Sequence, residues 1–210
     1  MAAQGFDLIE TMRFEALDGF VDLERHLARL KNSAEQLGFA FNRHDCRNDL
    51  QAATFRLTSD SRVRLMLSRS GAVAIEIRAL PATVEGPVDV AVVPLPVAED
   101  DYRLLHKTSD RRFLDRARLA AGTFEVVFAR ADGRLTEGSF TSIFVPRDGR
   151  LLTPRRGTLM PGVLRERLLH LGQAYEGELF AEDLANGFFI GNSLRGLIAA
   201  RAVTALHDEG

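Results

Sequence analysis

The stretch LHKTSDRR, Leu105–Arg112, decides how the rest of the chain is read. It holds Lys107, which with Lys31 makes two lysines among 27 basic residues; every other cation is an arginine. Both residue types supply positive charge. Only lysine readily sheds its proton and attacks a carbonyl, because the guanidinium of arginine stays charged. Lys107 is therefore a candidate nucleophile if its surroundings supply the rest of a site, and a surface ion-pairing residue if they do not.

Bulk composition bounds the alternatives. A chain of 210 residues, 46% hydrophobic and 27% charged, has an ordinary globular composition and can bury one large core or two smaller ones. The net charge of −2, with arginines interspersed among acids, gives no electrostatic footprint for nucleic acid or a membrane surface. No apolar run approaches the ~18 residues of a membrane span. The start, MAAQGFDLIE, lacks the basic-then-apolar order of a signal peptide. The single Cys46 excludes an intrachain disulfide framework and fits a reducing compartment, so a cytoplasmic location is expected. The histidines show no metal-ligand spacing, and neither a P-loop nor a G-x-S-x-G elbow occurs.

Upstream of Lys107, residues 94–106 mix prolines and acids without a clear period and form the predicted boundary. The domains expected are 1–98 and 107–210, with 99–106 as linker. In the first half, Phe6–Glu15 predicts a strand and LDGF a turn. Leu23, Leu27, Leu30, Ala34 and Leu37 share one face of a helix predicted over Asp22–Leu37, with Gly38 as its stop. A second helix is predicted over Asp45–Arg56. Two strands flank the Ser70-Gly71 hairpin, and VDVAVVPLP is a strand ended by prolines. Downstream, Phe124–Pro154 predicts four strands with turns at Asp132-Gly133 and Asp148-Gly149. Met160–Gly172 predicts a helix opening at Pro161, and Phe188–Val203 a strand, tight turn and strand. The chain is thus α+β in two halves, the second richer in strands.

Three downstream segments bear on Lys107. LTEGS sets Glu137 at a strand end beside a glycine. LMPGVLRER puts Pro161-Gly162 at a helix start, where the N–H groups of Val163 and Leu164 can cradle an anion. GNSLRG is a turn carrying Asn192, Ser193 and Arg195. A carboxylate for a ring nitrogen, an amide cradle, a hydroxyl and an arginine suit an aldehyde cofactor that carries a phosphate.

In this order HK, TEG, PG and GNSLRG resemble the class IV aminotransferases, the fold-type IV pyridoxal-phosphate enzymes. That family includes branched-chain and D-amino-acid aminotransferases and aminodeoxychorismate lyases. LERHLARLKNSAEQLGF, Leu23–Phe39, resembles the family's N-terminal helix, whose H-x-x-R-L carries a phosphate-binding arginine. The resemblance is strong over residues 6–38 and 104–201 and vague between them. HKTSDRR and GNSLRGL are most similar to the lyase branch.

The resemblance implies a small N-terminal α/β domain and a larger, strand-rich cofactor domain. It implies pyridoxal 5'-phosphate as cofactor, with Lys107 as the Schiff-base lysine that also moves the substrate proton. Glu137 would keep the pyridine nitrogen protonated. Arg29, Ser193 and the amides of Val163 and Leu164 would hold the phosphate, and Arg195 would meet a substrate carboxylate. Thr11, at the end of the first strand, is a candidate proton donor, although a strand threonine is more often structural. His26 is expected as a packed, hydrogen-bonded residue. The implied activity is elimination of pyruvate from 4-amino-4-deoxychorismate to give 4-aminobenzoate, toward folate. The same core residues also suit transamination of a branched-chain or D-amino acid, or a non-catalytic cofactor-binding relative. A homodimer acting on a small amino substrate is expected. Two positions depart from the family: Ser142 stands where many relatives have asparagine, and Phe113 and Leu114 where they often have tyrosine.

Overall fold

The computed structural model describes residues 5–155, 157 and 160–204. Its first sheet is built on β1 (Leu8–Glu15), whose alternate residues Leu8, Glu10, Met12 and Phe14 are all buried. The apolar three pack with Leu27, Leu30 and Ala34 of the helix α1 (Leu23–Leu37). Each fully buried large side chain here contributes about 1.5–3 kcal/mol relative to exposure. Gly38, at φ 70°, ends α1 by donating its N–H to Ala34 O, the left-handed stop that glycine adopts without strain.

Antiparallel strands complete this unit in the order β2 (Gly19–Phe20), β1, β3 (Ser61–Leu67), β4 (Val73–Ala79). The β1–β3 register runs from Leu8 opposite Leu67 to Phe14 opposite Ser61. The second helix, α2 (Arg43–Thr54), starts earlier than the sequence predicts. The reason is Asn42, whose Oδ1 accepts from the N–H of His44 at 2.9 Å and of Asp45 at 3.3 Å.

The second sheet has eight strands: β5 (Val88–Pro94), β6 (Glu125–Ala129), β7 (Leu135–Gly138), β8 (Ser142–Arg147), β9 (Arg150–Pro154), β10 (Ala174–Gly177), β11 (Phe188–Asn192) and β12 (Gly196–Val203). Their spatial order is β10-β9-β8-β11-β12-β5-β6-β7. β5 lies between β12 and β6 and is parallel to both, which accounts for its nearly continuous apolar sequence. Val90, Val127, Ile143, Ile190 and Ile198 form the heart of the core. Asp148 and Gly149 both have positive φ, 52° and 73°, as a two-residue hairpin turn of matching twist demands. Two helices accompany the sheet, α3 (Arg112–Ala121) and α4 (Val163–His170). The sequence did not predict α3, β2, β10 or the short 3-10 turns Tyr102–Leu104 and Ala181–Leu184.

By packing, the chain forms two compact units. The first runs up to Ala82 and takes in His106–Asp110; the second comprises Thr83–Leu105 and the chain from Arg111 onward. β5 is a member of the eight-stranded sheet, so the division falls ahead of it, earlier than the linker at 99–106 expected from composition.

Candidate active site

In the first unit, the segment around Lys107 is added to the free edge of β1. The N–H of Ile9 donates to Lys107 O at 2.8 Å, and that of Ser109 to Asp7 O at 2.8 Å. Ser109 Oγ accepts from the N–H of Asp7 at 2.9 Å, and Thr108 forms an antiparallel bridge with Leu8. His106 Nδ1 lies 3.0 Å from Ser33 Oγ on α1, and both His106 and Thr108 are buried. Lys107 is thus held on both sides by buried neighbours. Strand alternation puts it with Ile9 and Thr11 on one face, opposite the face of Leu8 and Glu10. Thr11, which lies in the middle of β1 rather than at its end, therefore shares the face of Lys107.

On the α1 side, β1 buries a charged cluster. Glu10 accepts from Arg29 Nε at 2.8 Å and Nη2 at 2.6 Å, and pairs with His26 Nδ1 at 2.7 Å. Burial would raise the Glu10 carboxyl, but the charge and hydrogen bonds of Arg29, with the hydrogen bond of His26, hold it well below the usual carboxylate range. His26 is lowered, first by burial and then by the charges of Arg29 and Lys107, against the pull of Glu10. A neutral His26 must donate from Nδ1, since ionised Glu10 only accepts. Its Nε2 then carries a lone pair, is buried and has no hydrogen-bond partner. His26 is the packed, hydrogen-bonded residue expected, and two donors of Arg29 are committed to Glu10.

In the second unit, Glu137 is the penultimate residue of β7, and its Oε1 accepts from the N–H of Met160 at 3.1 Å. The chain then turns sharply, with the Gly138 N–H bonded to Thr141 O at 2.7 Å. A Cβ on Gly138 would lie 2.5 Å from Thr141 Oγ1 and 2.8 Å from Glu125 Oε2, so only glycine fits. Beyond the turn, Ser139 O accepts from Arg111 Nη2 at 2.9 Å and Phe140 O from Asn192 Nδ2 at 3.1 Å. Asn192 Oδ1 accepts from the N–H groups of Leu194 and Arg195, at 3.1 and 3.0 Å, which sets the GNSLRG turn. The Arg195 guanidinium sits 6.0 Å over the Phe124 ring.

The start of α4 adjoins this turn. A Cβ on Gly162 would lie 2.6 Å from Ser142 Oγ. One on Gly191 would lie 2.6 Å from Gly196 O and 2.8 Å from Leu164 Cδ2. Ser142, Gly162, Leu164 and the Gly191–Gly196 turn are therefore in contact, with Ser142 opposite Gly191 in the β8–β11 register. Gly162, at the N-cap, has no side chain to cap α4, and the N–H groups of Val163 and Leu164 have no acceptor within the helix. The amides at the α4 start and the Glu137 carboxylate fit a phosphate-bearing pyridine cofactor. Phe113 packs beneath Arg103 at 4.6 Å and Leu114 is buried in a satellite core, so both residues at the tyrosine position are taken up by packing. Among the described residues no group of His, Cys, Asp and Glu could hold a metal ion, and no helix is long and apolar enough to cross a membrane.

Glu137, Val163, Leu164, Ser193 and Arg195 lie in the second unit; in the first, Lys107 and Thr11 share one face of β1, and Arg29 is bonded to Glu10 on the other. Two residues escaped the sequence argument, Glu10 and Glu125. Glu10 was detectable, because it falls in phase with Leu8, Met12 and Phe14 on the face of β1 that must be buried.

Comparison with known proteins identifies the family. The family model for amino-transferase class IV matches residues 7–203. A proposed amino-acid aminotransferase from Mesorhizobium loti is 36% identical, with a TM-score of 0.86, covering 94% of this chain and 100% of that one. A proposed 4-amino-4-deoxychorismate lyase is 26% identical, with a TM-score of 0.79 over 94% of this chain and 85% of that one. The pyridoxal-phosphate-bound form of a hypothetical aminotransferase from Mycobacterium tuberculosis shares the fold at 20% identity, with a TM-score of 0.81 over 100% of this chain and 85% of that one. None of the curated protein sequences searched matches the chain. The chain belongs to the class IV aminotransferase family, whose members are pyridoxal-phosphate-dependent enzymes.

Proposed function

We propose that this enzyme eliminates pyruvate from 4-amino-4-deoxychorismate, giving 4-aminobenzoate. The observation that carries the proposal is the placement of Thr11 on the face of β1 that Lys107 shares, fixed by the Ile9–Lys107 hydrogen bond. The lyase-like HKTSDRR and GNSLRGL segments support it. When bound, pyridoxal phosphate supplies an electron sink for the carbon that bears the substrate amine.

Lys107 Nζ removes the proton from that ring carbon. The neighbouring C–O bond breaks, its electron pair stays on the departing oxygen, and the Thr11 hydroxyl delivers a proton there. The ring becomes aromatic, and the released enol tautomerises to pyruvate. Glu137 keeps a proton on the pyridine nitrogen. The amides of Val163 and Leu164, with Ser193 and Arg29, hold the phosphate, and Arg195 meets a substrate carboxylate.

The test is pyruvate release from 4-amino-4-deoxychorismate by purified protein supplied with pyridoxal phosphate. Lys107→Ala abolishes it, and Thr11→Val lowers the rate by about 100-fold, the scale of a lost general acid. Cofactor binding without pyruvate release sinks the lyase assignment. The 36% identical Mesorhizobium relative favours a second reading, transamination of an amino acid. That reaction leaves the cofactor in its amine form after a half-reaction with the amino donor; the lyase returns it to the aldehyde form. Assembly as a homodimer is part of the proposal and is tested by sedimentation.

A further inference from the structure

Glu125 opens β6, is fully buried, and plays no part in the chemistry assigned above. Its Oε1 accepts from the N–H of Val126 at 2.9 Å, the N–H of Ser139 at 3.0 Å and Ser139 Oγ at 2.6 Å. Its Oε2 accepts from the N–H of Phe140 at 3.1 Å and Thr141 Oγ1 at 2.9 Å. All five donors are neutral. Burial holds the carboxyl above its usual value, although these donors oppose the shift. A buried carboxylate without an arginine is costly, yet four of its five bonds reach one three-residue loop.

That loop is the junction of the second unit's site. It follows Glu137 and Gly138 directly, its Ser139 carbonyl is held by Arg111, and its Phe140 carbonyl by Asn192 of the GNSLRG turn. We infer that Glu125 is a positioning residue of the reaction. It fixes the Ser139–Thr141 loop from beneath, and through the loop it sets Glu137 and the Asn192 turn. The inference rests on the proposal that Glu137 holds the cofactor's ring nitrogen.

Glutamine at this position has the same shape and cannot serve. Hydroxyl donors can reverse and accept, but backbone N–H groups cannot. Two backbone N–H groups face Oε1 and one faces Oε2, so a glutamine turns its amide nitrogen toward Oε2 and orphans the Phe140 N–H.

The test titrates cofactor-free protein with pyridoxal phosphate and records the dissociation constant and the absorbance of the bound cofactor. Glu137→Gln serves as the reference for a lost ring-nitrogen partner. Glu125→Gln is expected to weaken binding by about tenfold and to shift the spectrum in the direction of Glu137→Gln. Ser139→Ala and Thr141→Val each weaken binding by about threefold with the same spectral direction. If Glu125→Gln fails to fold, these two carry the test alone. Variants that lower only the melting temperature, leaving affinity and spectrum at wild-type values, overturn the positioning role. Wild-type protein that binds no pyridoxal phosphate would instead overturn the proposed function.

Discussion

Glu10→Gln tests the buried cluster beneath β1. The substitution keeps the volume but removes the carboxylate paired with Arg29, which is 7% exposed, and places an amide nitrogen against a donor. Removing one partner of a buried ion pair costs about 3–5 kcal/mol, because the remaining charge stays desolvated. The double variant Glu10→Leu with Arg29→Met removes both charges from a site bordered by Leu8, Met12, Leu27 and Leu30. It leaves the His26 Nδ1–H without its acceptor, which costs about 1–3 kcal/mol. The double variant is therefore about 2 kcal/mol more stable than the single one. In the proposed site it also lacks the contact of Arg29 to the phosphate, so a gain in stability over the single variant is expected to accompany a loss of cofactor affinity. Urea unfolding of the cofactor-free proteins, followed by circular dichroism with equal m-values, measures both steps. A loss below about 1 kcal/mol for Glu10→Gln, or a double variant no better than the single, would refute the argument.

Other consequences can be checked separately. His26 and His106 have lowered pKa values in the fold, so the unfolded chain binds protons first as pH drops below about 6.5, and stability falls by up to about 1.4 kcal/mol per pH unit for each. His26→Gln should remove roughly half of that slope in melts between pH 7.5 and 5.5; an unchanged slope would contradict a neutral buried imidazole. Cys46 is buried, and burial with Asp49 and Asp45 raises its thiol to about 11, so a thiol reagent at pH 8 should label it only when the protein unfolds. Gly191→Ala drives a Cβ against the backbone oxygen of Gly196 and should lower stability by about 1–3 kcal/mol. Gly162→Ala meets only the Ser142 hydroxyl, which can rotate, and should cost less than about 1 kcal/mol; equal melting temperatures for the two would be the wrong result.

Which features could be read in advance follows from how local their causes are. The leucine spacing of α1 and the Asp148-Gly149 turn are written in consecutive residues, and both appear where expected. The family motifs mark Lys107, Glu137 and the α4 start for the same reason. The helix α3 was missed because arginines at 112, 116 and 118 dominate its sequence, while only Leu114 and Ala121 are buried. β10 is a four-residue edge strand whose partner, β9, is distant in sequence. Glu125 was invisible because its significance lies in donors 14 to 16 residues away, gathered by a turn that only the folded chain makes. A glutamate in a strand otherwise reads as a solvent-facing residue.

The return of His106–Asp110 to the first unit has a consequence for inheritance. By sequence, Lys107 sits between Leu105 and Arg111, both of the second unit; by packing, it belongs to the first. No single cut can divide the two units into self-sufficient fragments. A piece ending at Ala82 would lack the segment that covers the β1 edge, and a piece beginning at Thr83 would carry the lysine without the strand that holds it. Gene fusion or domain exchange that keeps Lys107 on its strand must therefore carry both the chain up to Ala82 and the segment His106–Asp110.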